Sequence, residues 1–215
     1  MYGNENRNSI FRYILLLALI GGAVFYFRSN VGTRNSMSGL HEPTQTEAEG
    51  ETRFTLDGYD MRIKYLYEYN AIALVVHTKD YMGVSLGDKL SPKDIALAWG
   101  SVAAYNKVID FHWSQSGRWV HWRTDSYSEL APIGDSADVD RQSSNNHLIP
   151  ADSAVKKDIK KIRTGDIINL KGYLVNVRGL RDDGAHFTWN SSTTRDDSGD
   201  GACEVIYVTS VEWLN

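Results

Sequence analysis

Apolar and polar positions divide the chain into blocks of different period. Residues 13–27, YILLLALIGGAVFYF, form an uninterrupted apolar run with no polar face, unlike the one-sided stripe of a soluble helix. Extended back through Arg12 to Ile10, at about 1.5 Å per residue, the run measures about 27 Å. That approaches the ~30 Å hydrocarbon layer of a bilayer, with Arg12 snorkelling to the interface. Residues 29–52 then lose nearly all large apolar side chains and read as a flexible linker. Period two begins after Phe54: Ile63, Tyr65 and Tyr67 alternate with charged or polar neighbours, and AIALVVHT at 71–78 reads as a buried strand.

Further along, LSPKDIALAWG at 90–100 predicts a short helix, with Ser91 as cap, Pro92 in its first position and Gly100 as its stop. VIDFHWSQSGRWVHWR at 108–123 predicts a hairpin turning at Ser114–Gly117. That pairing places His112, Trp119 and His121 on one face, and Phe111, Trp113, Val120 and Trp122 on the other. Residues 124–148 read as a long connection. PADSAVKKDIKKIRTGD predicts a second helix, capped by Asp152 or Ser153, with Val155, Ile159 and Ile162 inward and Gly165 at its end. DIINLKGYLVNVRG follows as a strand bent or bulged at Gly172. HFTWNSS and CEVIYVTSVEWL supply two more strands.

Consecutive strands without regular crossover helices predict an α+β fold rather than a parallel sheet. The expected domain is mostly antiparallel, with a small OB-like barrel and two short helices, behind an N-terminal transmembrane helix. The predicted organisation is a short tail over 1–9, a transmembrane anchor over 10–28, the linker over 29–52 and an α+β domain over 53–215. A cleavable signal peptide is the rival reading of the anchor, since Gly21 and Ala23 are spaced like a cleavage site. The apolar run continues past them through VFYF and favours an uncleaved anchor.

Several segments, LSPKDIALAWG, SQSGRWVHW, HLIPAD, GDIINLKGYLV and SSTTRDDSGDGACE, resemble a family of uncharacterised bacterial proteins with one N-terminal membrane segment. The resemblance covers most of residues 60–210. It implies a class and a location and carries over no site. The expected place is a bacterial inner membrane, crossed once, with the C-terminal domain periplasmic or extracellular. Arg7, Arg12 and the terminal amine ahead of residues 13–27, against Arg28 and Arg34 behind them, lean slightly toward that orientation.

Composition narrows the chemistry. The net charge of −4 provides no global field for nucleic acid. A single cysteine rules out an internal disulfide and a thiolate zinc cluster. RDDSGDGACE at 195–204 gathers the candidate chemistry: Asp196, Ser198 and Asp200 match the start of a calcium loop, but the closing ligand position falls on Tyr207. A polar hairpin tip explains the same residues. Cys203 is a candidate nucleophile, although Asp200 and Glu204 beside it oppose a low thiol pKa. His112 and His121 sharing a hairpin face are too few for a zinc site. The aromatic candidates for ligand stacking are Trp113, Trp119 and Trp122. Lys156, Lys157, Lys160 and Lys161 form a basic helix flank, either a solvated face or an anion contact.

No catalytic set emerges and no cofactor is implied, calcium being the alternative. The leading expectation is a non-enzymatic, membrane-tethered extracytoplasmic domain that binds a protein partner or an envelope polymer. The alternatives are a thiol- or metal-dependent hydrolase using Cys203 or the 196–204 loop, and an OB-like polymer-binding module.

Overall fold

The computed structural model describes residues 12–17, 32–194 and 203–214. The chain divides into two units, Met1–Thr33 and Arg34–Asn215. In the first, residues 12–17 are helical with exposed side chains. The remainder of the expected anchor over 10–28 lies outside the described residues, and among those described no helix is long and apolar enough to cross a membrane.

The second unit is mixed α+β, mostly sheet. Its elements are β1 (Thr44–Glu47), β2 (Glu51–Leu56), β3 (Tyr59–Asp80), α1 (Leu86–Leu90), β4 (Lys93–Ala98), α2 (Gly100–Tyr105), β5 (Ser114–Ser116) and β6 (Trp119–His121). A 3-10 turn (Tyr127–Leu130), α3 (Ser136–Arg141), β7 (Ser143–Pro150), α4 (Ser153–Lys161), β8 (Ile167–Arg181), β9 (His186–Asn190) and β10 (Glu204–Trp213) follow. β3 runs for 22 residues and serves two partners. It pairs antiparallel with β8 from Tyr59 to Leu74 and with β4 from Leu74 to Asp80. β4 pairs with β7, β7 with β10 and β10 with β8, so the pairings return to β3 and the sheet is partly ring-closed. β7 and β10 are parallel, and the other pairs of the ring are antiparallel. Away from the ring, β3 and β8 continue as an arm flanked by β2 and β9.

The main core joins Ala71, Ala73, Leu97, Leu148, Leu170 and Ile206 of the ring to Val155, Ile159 and Ile162 of the α4 segment. A second cluster, around Met61, Ile63, Val175, Val177 and Val205, packs one face of the arm. α4 matches its cap and stripe signals, but it ends at Lys161 with Ile162 extended, ahead of the Gly165 expected to stop it. Asp152 accepts from the backbone N–H groups of Ala154 and Val155, and the apolar stripe points into the core. Removing that cap leaves two helix donors without their acceptor. Asp152→Ala should therefore cost about 1 kcal/mol in urea unfolding; no loss would mean that water replaces the cap freely.

Four further expectations differ from the fold. The segment at 90–100 is a strand, β4, whose six residues are all buried between β3 and β7. A strand covered on both faces loses its period of two and imitates a helix segment. The helix-start chemistry sits earlier, where Ser85 and Asp88 form a capping box on α1. The connection at 124–148 holds the 3-10 turn, α3 and most of β7, hidden by the polar run Ser143–His147. The hairpin strands are short and turn at Gly117–Arg118, with Gly117 at φ +57°.

The stretch expected as linker is strand from Thr44, where β1 pairs with β3. Ahead of it, Arg34 reaches Asp110 at 2.7 Å, Met37 N–H donates to Ala103 O, and Leu40 is buried. Backbone hydrogen bonds hold this segment more than side-chain burial does, so composition did not reveal it.

Candidate functional site

Two polar assemblies stand out, one closed and one open. The closed one centres on Asp94. β4 places Asp94 directly beside His147 of β7, and both side chains are buried. The β5–β6 turn delivers Arg118 to the same spot. Its guanidinium donates to Asp94 Oδ1 at 2.8 Å, Asp88 Oδ1 at 2.9 Å and Ser91 O at 3.1 Å. It also lies 3.9 Å from the centre of the Tyr81 ring and 5.0 Å from that of Trp189, close enough for cation–π attraction.

Asp94 Oδ2 accepts from Tyr81 OH at 2.8 Å and Gln115 Nε2 at 3.1 Å, while Ser91 Oγ lies 3.3 Å from Oδ1. A carboxylate offers about four acceptor sites, and these donors fill them. Burial, reinforced by the Asp94 carboxylate, pushes the Tyr81 phenol above its ordinary value. Burial alone would raise the Asp88 carboxyl too, but the Ser85 backbone N–H and Arg118 outweigh it and hold it low. His147 Nδ1 lies 3.0 Å from Asp94 Oδ2 without hydrogen-bond alignment, and its ring packs 4.6 Å from Trp189. Asn145 Nδ2 donates to Arg118 O at 2.6 Å and to Cys203 Sγ at 3.1 Å. Chemically this is a clamp: its carboxylate is saturated, and it fastens the hairpin to β4 and α1.

The open assembly lies on the arm face opposite the second apolar cluster. On β3, Arg62 and Lys64 alternate with buried Met61 and Ile63; on β8, Asn176 and Arg178 alternate with buried Val175 and Val177. The register sets Arg62 directly opposite Arg178 and Lys64 opposite Asn176, while Arg53 of β2 flanks Arg62. Arg62, Lys64, Asn176 and Arg178 line a cavity of about 290 Å³. Glu51 at its edge accepts from Arg62 Nε at 2.6 Å and from Arg53 Nε at 2.7 Å. Among the described residues, Lys64 and Arg178 have no ion pair or hydrogen bond through their side chains, and neither carboxylate nor aromatic ring lines the cavity.

The structure disperses the residues singled out from sequence. Trp113 and Trp122 pack against the main core, their indole N–H groups donating to Asn106 and Asp140. Trp119 and His121 share a hairpin face, partnered by Ser116 and Ser114 in the ladder. His112 lies outside those strands at φ +41°, with Nε2 3.0 Å from Asp125. Lys156, Lys157, Lys160 and Lys161 are exposed on α4, and Lys161 pairs with Asp158 at 2.7 Å. Cys203 is buried beside Asn145. Asp196, Ser198 and Asp200 lie outside the described residues. Among those described, no group of three or more His, Cys, Asp or Glu residues is placed to hold a metal ion.

Sequence reasoning passed over Asp94, Arg118, Arg62, Lys64 and Arg178. For the arm the signal was present, as the alternations MRIKY and VNVRG. What one sequence does not carry is the register that sets Arg62 against Arg178. Comparisons with protein-family models, curated proteins and solved structures find no match to this chain.

Proposed function

We propose that the chain is a membrane-tethered, extracytoplasmic interaction domain of OB-like architecture, without catalysis of its own, that binds an envelope polymer or a protein partner through the cationic arm face. The ring order β3–β4–β7–β10–β8, with α4 between β7 and β8, supports the OB-like reading. Barrels of that kind serve many ligands, so the function rests on the site rather than the fold. The apolar run at 10–28 supports the tether.

One contrast carries the reading. The buried Asp94 clamp has its hydrogen-bonding capacity committed to holding the hairpin. The arm face instead presents Lys64 and Arg178 to a cavity, and among the described residues neither side chain makes an ion pair or hydrogen bond. A photo-reactive amino acid at Thr188, which flanks Arg178 on β9, should crosslink a reproducible species in intact cells. The same group at Lys156 on α4 serves as the control and should not. Equal labelling at the two positions, or none at Thr188, would overturn the reading.

A further inference from the structure

Like charges directly opposite on neighbouring strands destabilise a sheet. The arm nevertheless sets Arg53, Arg62 and Arg178 in one cross-strand row, with Lys64 one pleat away. On the same face, Arg53, Arg62, Lys64 and Arg178 outnumber the carboxylates Glu51 and Asp60 by four to two, in a chain whose net charge is −4. Glu51 is bridged to Arg53 and Arg62 and stands opposite Lys64 in the β2–β3 register, which leaves Arg178, facing Arg62 and Thr188, as the cation of the row with no carboxylate opposite it among the described residues. Such a row is a standing cost to the free protein, and an anion seated between β3 and β8 would relieve it.

The geometry points to a phosphoryl site: the cavity between Arg62, Lys64 and Arg178 takes a phosphate group of a linear phosphate-bearing polyanion lying along the arm. This rests on the interaction-domain reading above and names its ligand class. A carboxylate presents two oxygens and is satisfied by one arginine fork, whereas a phosphoryl group presents more acceptors and can engage cations from two strands together. At about 290 Å³ the cavity is at the low end for small-molecule sites, enough for one phosphoryl group and its nearest atoms. Successive same-face residues on a strand lie about 6.5–7 Å apart. Lys64 and Arg62 are so spaced, which suits a chain with repeating charge better than an isolated ion. Among the described residues no aromatic ring lines the cavity, which argues against a stacked base or sugar.

The test uses the chain from Arg34 onward, the unit that is compact by itself, with the full chain in detergent as a check. The probe is inorganic polyphosphate of defined length, titrated at several salt concentrations. Parent protein should bind it with affinity that falls as salt rises, and Arg178→Glu should weaken binding about tenfold or more and flatten the salt slope by about one. Lys160→Glu with Lys161→Glu, on the α4 flank outside the cavity lining, should leave binding within about twofold. Arg178→Gln should bind less tightly yet melt no lower than the parent, because it removes a like-charge pair; this separates lost recognition from lost folding.

Binding unchanged by Arg178→Glu would overturn the site. So would equal affinity for inorganic phosphate and polyphosphate, or binding only to phosphatidylglycerol vesicles, since each removes the linear polyanion. Loss of polyphosphate binding with crosslinking at Thr188 retained would reject the ligand class and leave the interaction domain standing. Failure of both would reject both.

Discussion

Asp94→Ala should destabilise the domain by about 3–5 kcal/mol, read as a shift of the urea midpoint at constant m-value. Asp94 is fully buried and is the acceptor shared by Arg118, Tyr81, Gln115 and Ser91. Its removal leaves the Arg118 guanidinium, only 21% exposed, with Asp88 as its remaining carboxylate. It also removes one of the two acceptors of the Tyr81 hydroxyl, which keeps the Gly117 carbonyl at 2.7 Å. Breaking one side of a buried pair costs more than deleting the pair, because a desolvated charge is left behind.

The double variant Asp94→Leu with Arg118→Met should therefore be less unstable than Asp94→Ala alone, and a double-mutant cycle reports that coupling. A loss below about 1 kcal/mol for Asp94→Ala, or simple additivity in the cycle, would show that water solvates the clamp and that the hairpin is held by its apolar contacts instead. Trp113, Val120 and Trp122 supply those contacts to the main core.

The clamp also marks the limit of what the sequence made legible. The second helix was readable because cap and stripe occur in order within a few residues, Asp152 and then Val155, Ile159 and Ile162, although it stops at Lys161, ahead of Gly165. The buried strand within β3 was readable from its β-branched run, and Gly172 marked a special position, although the register shift beside it falls on β10 at Thr209 rather than on β8. β4 was not, since a fully covered strand has no period to report. β7 was not, since Asn145, Asn146 and His147 are buried polar residues whose reason for being there is their partners on other elements.

The site followed the same divide. Charges alternating with apolar residues at 61–64 and 175–178 were visible in the chain. Their convergence depends on pairing between segments more than a hundred positions apart, which only the folded register supplies. The aromatic hairpin attracted functional interest because tryptophans are conspicuous. In the fold Trp113 and Trp122 are packing residues with satisfied N–H groups.

The largest backbone effect should come from Gly172→Ala. Gly172 faces Val208 across the β8–β10 ladder, beside a register shift between Val208 and Ser210. A Cβ there would lie 2.2 Å from the Tyr207 carbonyl oxygen and 3.0 Å from both Tyr207 C and Val208 Cα. All three are backbone atoms, so no side chain can rotate away and the strands must separate. The backbone of Gly172 is not in the left-handed region, hence the whole penalty is steric and falls on the closure of the ring. Overpacking against a flexible neighbour costs about 1–3 kcal/mol; against fixed backbone we expect about 3 kcal/mol or more, with faster hydrogen exchange at Tyr207 and Val208.

Two other glycines calibrate the effect. At Gly179 an added Cβ meets mainly the Met61 thioether, the end of a long side chain, so Gly179→Ala should cost less. At Gly184 nothing lies within 4 Å and φ is +86°, so Gly184→Ala should cost only the left-handed penalty of about 1–2 kcal/mol. If Gly172→Ala unfolds no more readily than Gly184→Ala and keeps slow exchange at Val208, β8 and β10 tolerate separation. The ring would then be held by its core rather than by close contact of these strands.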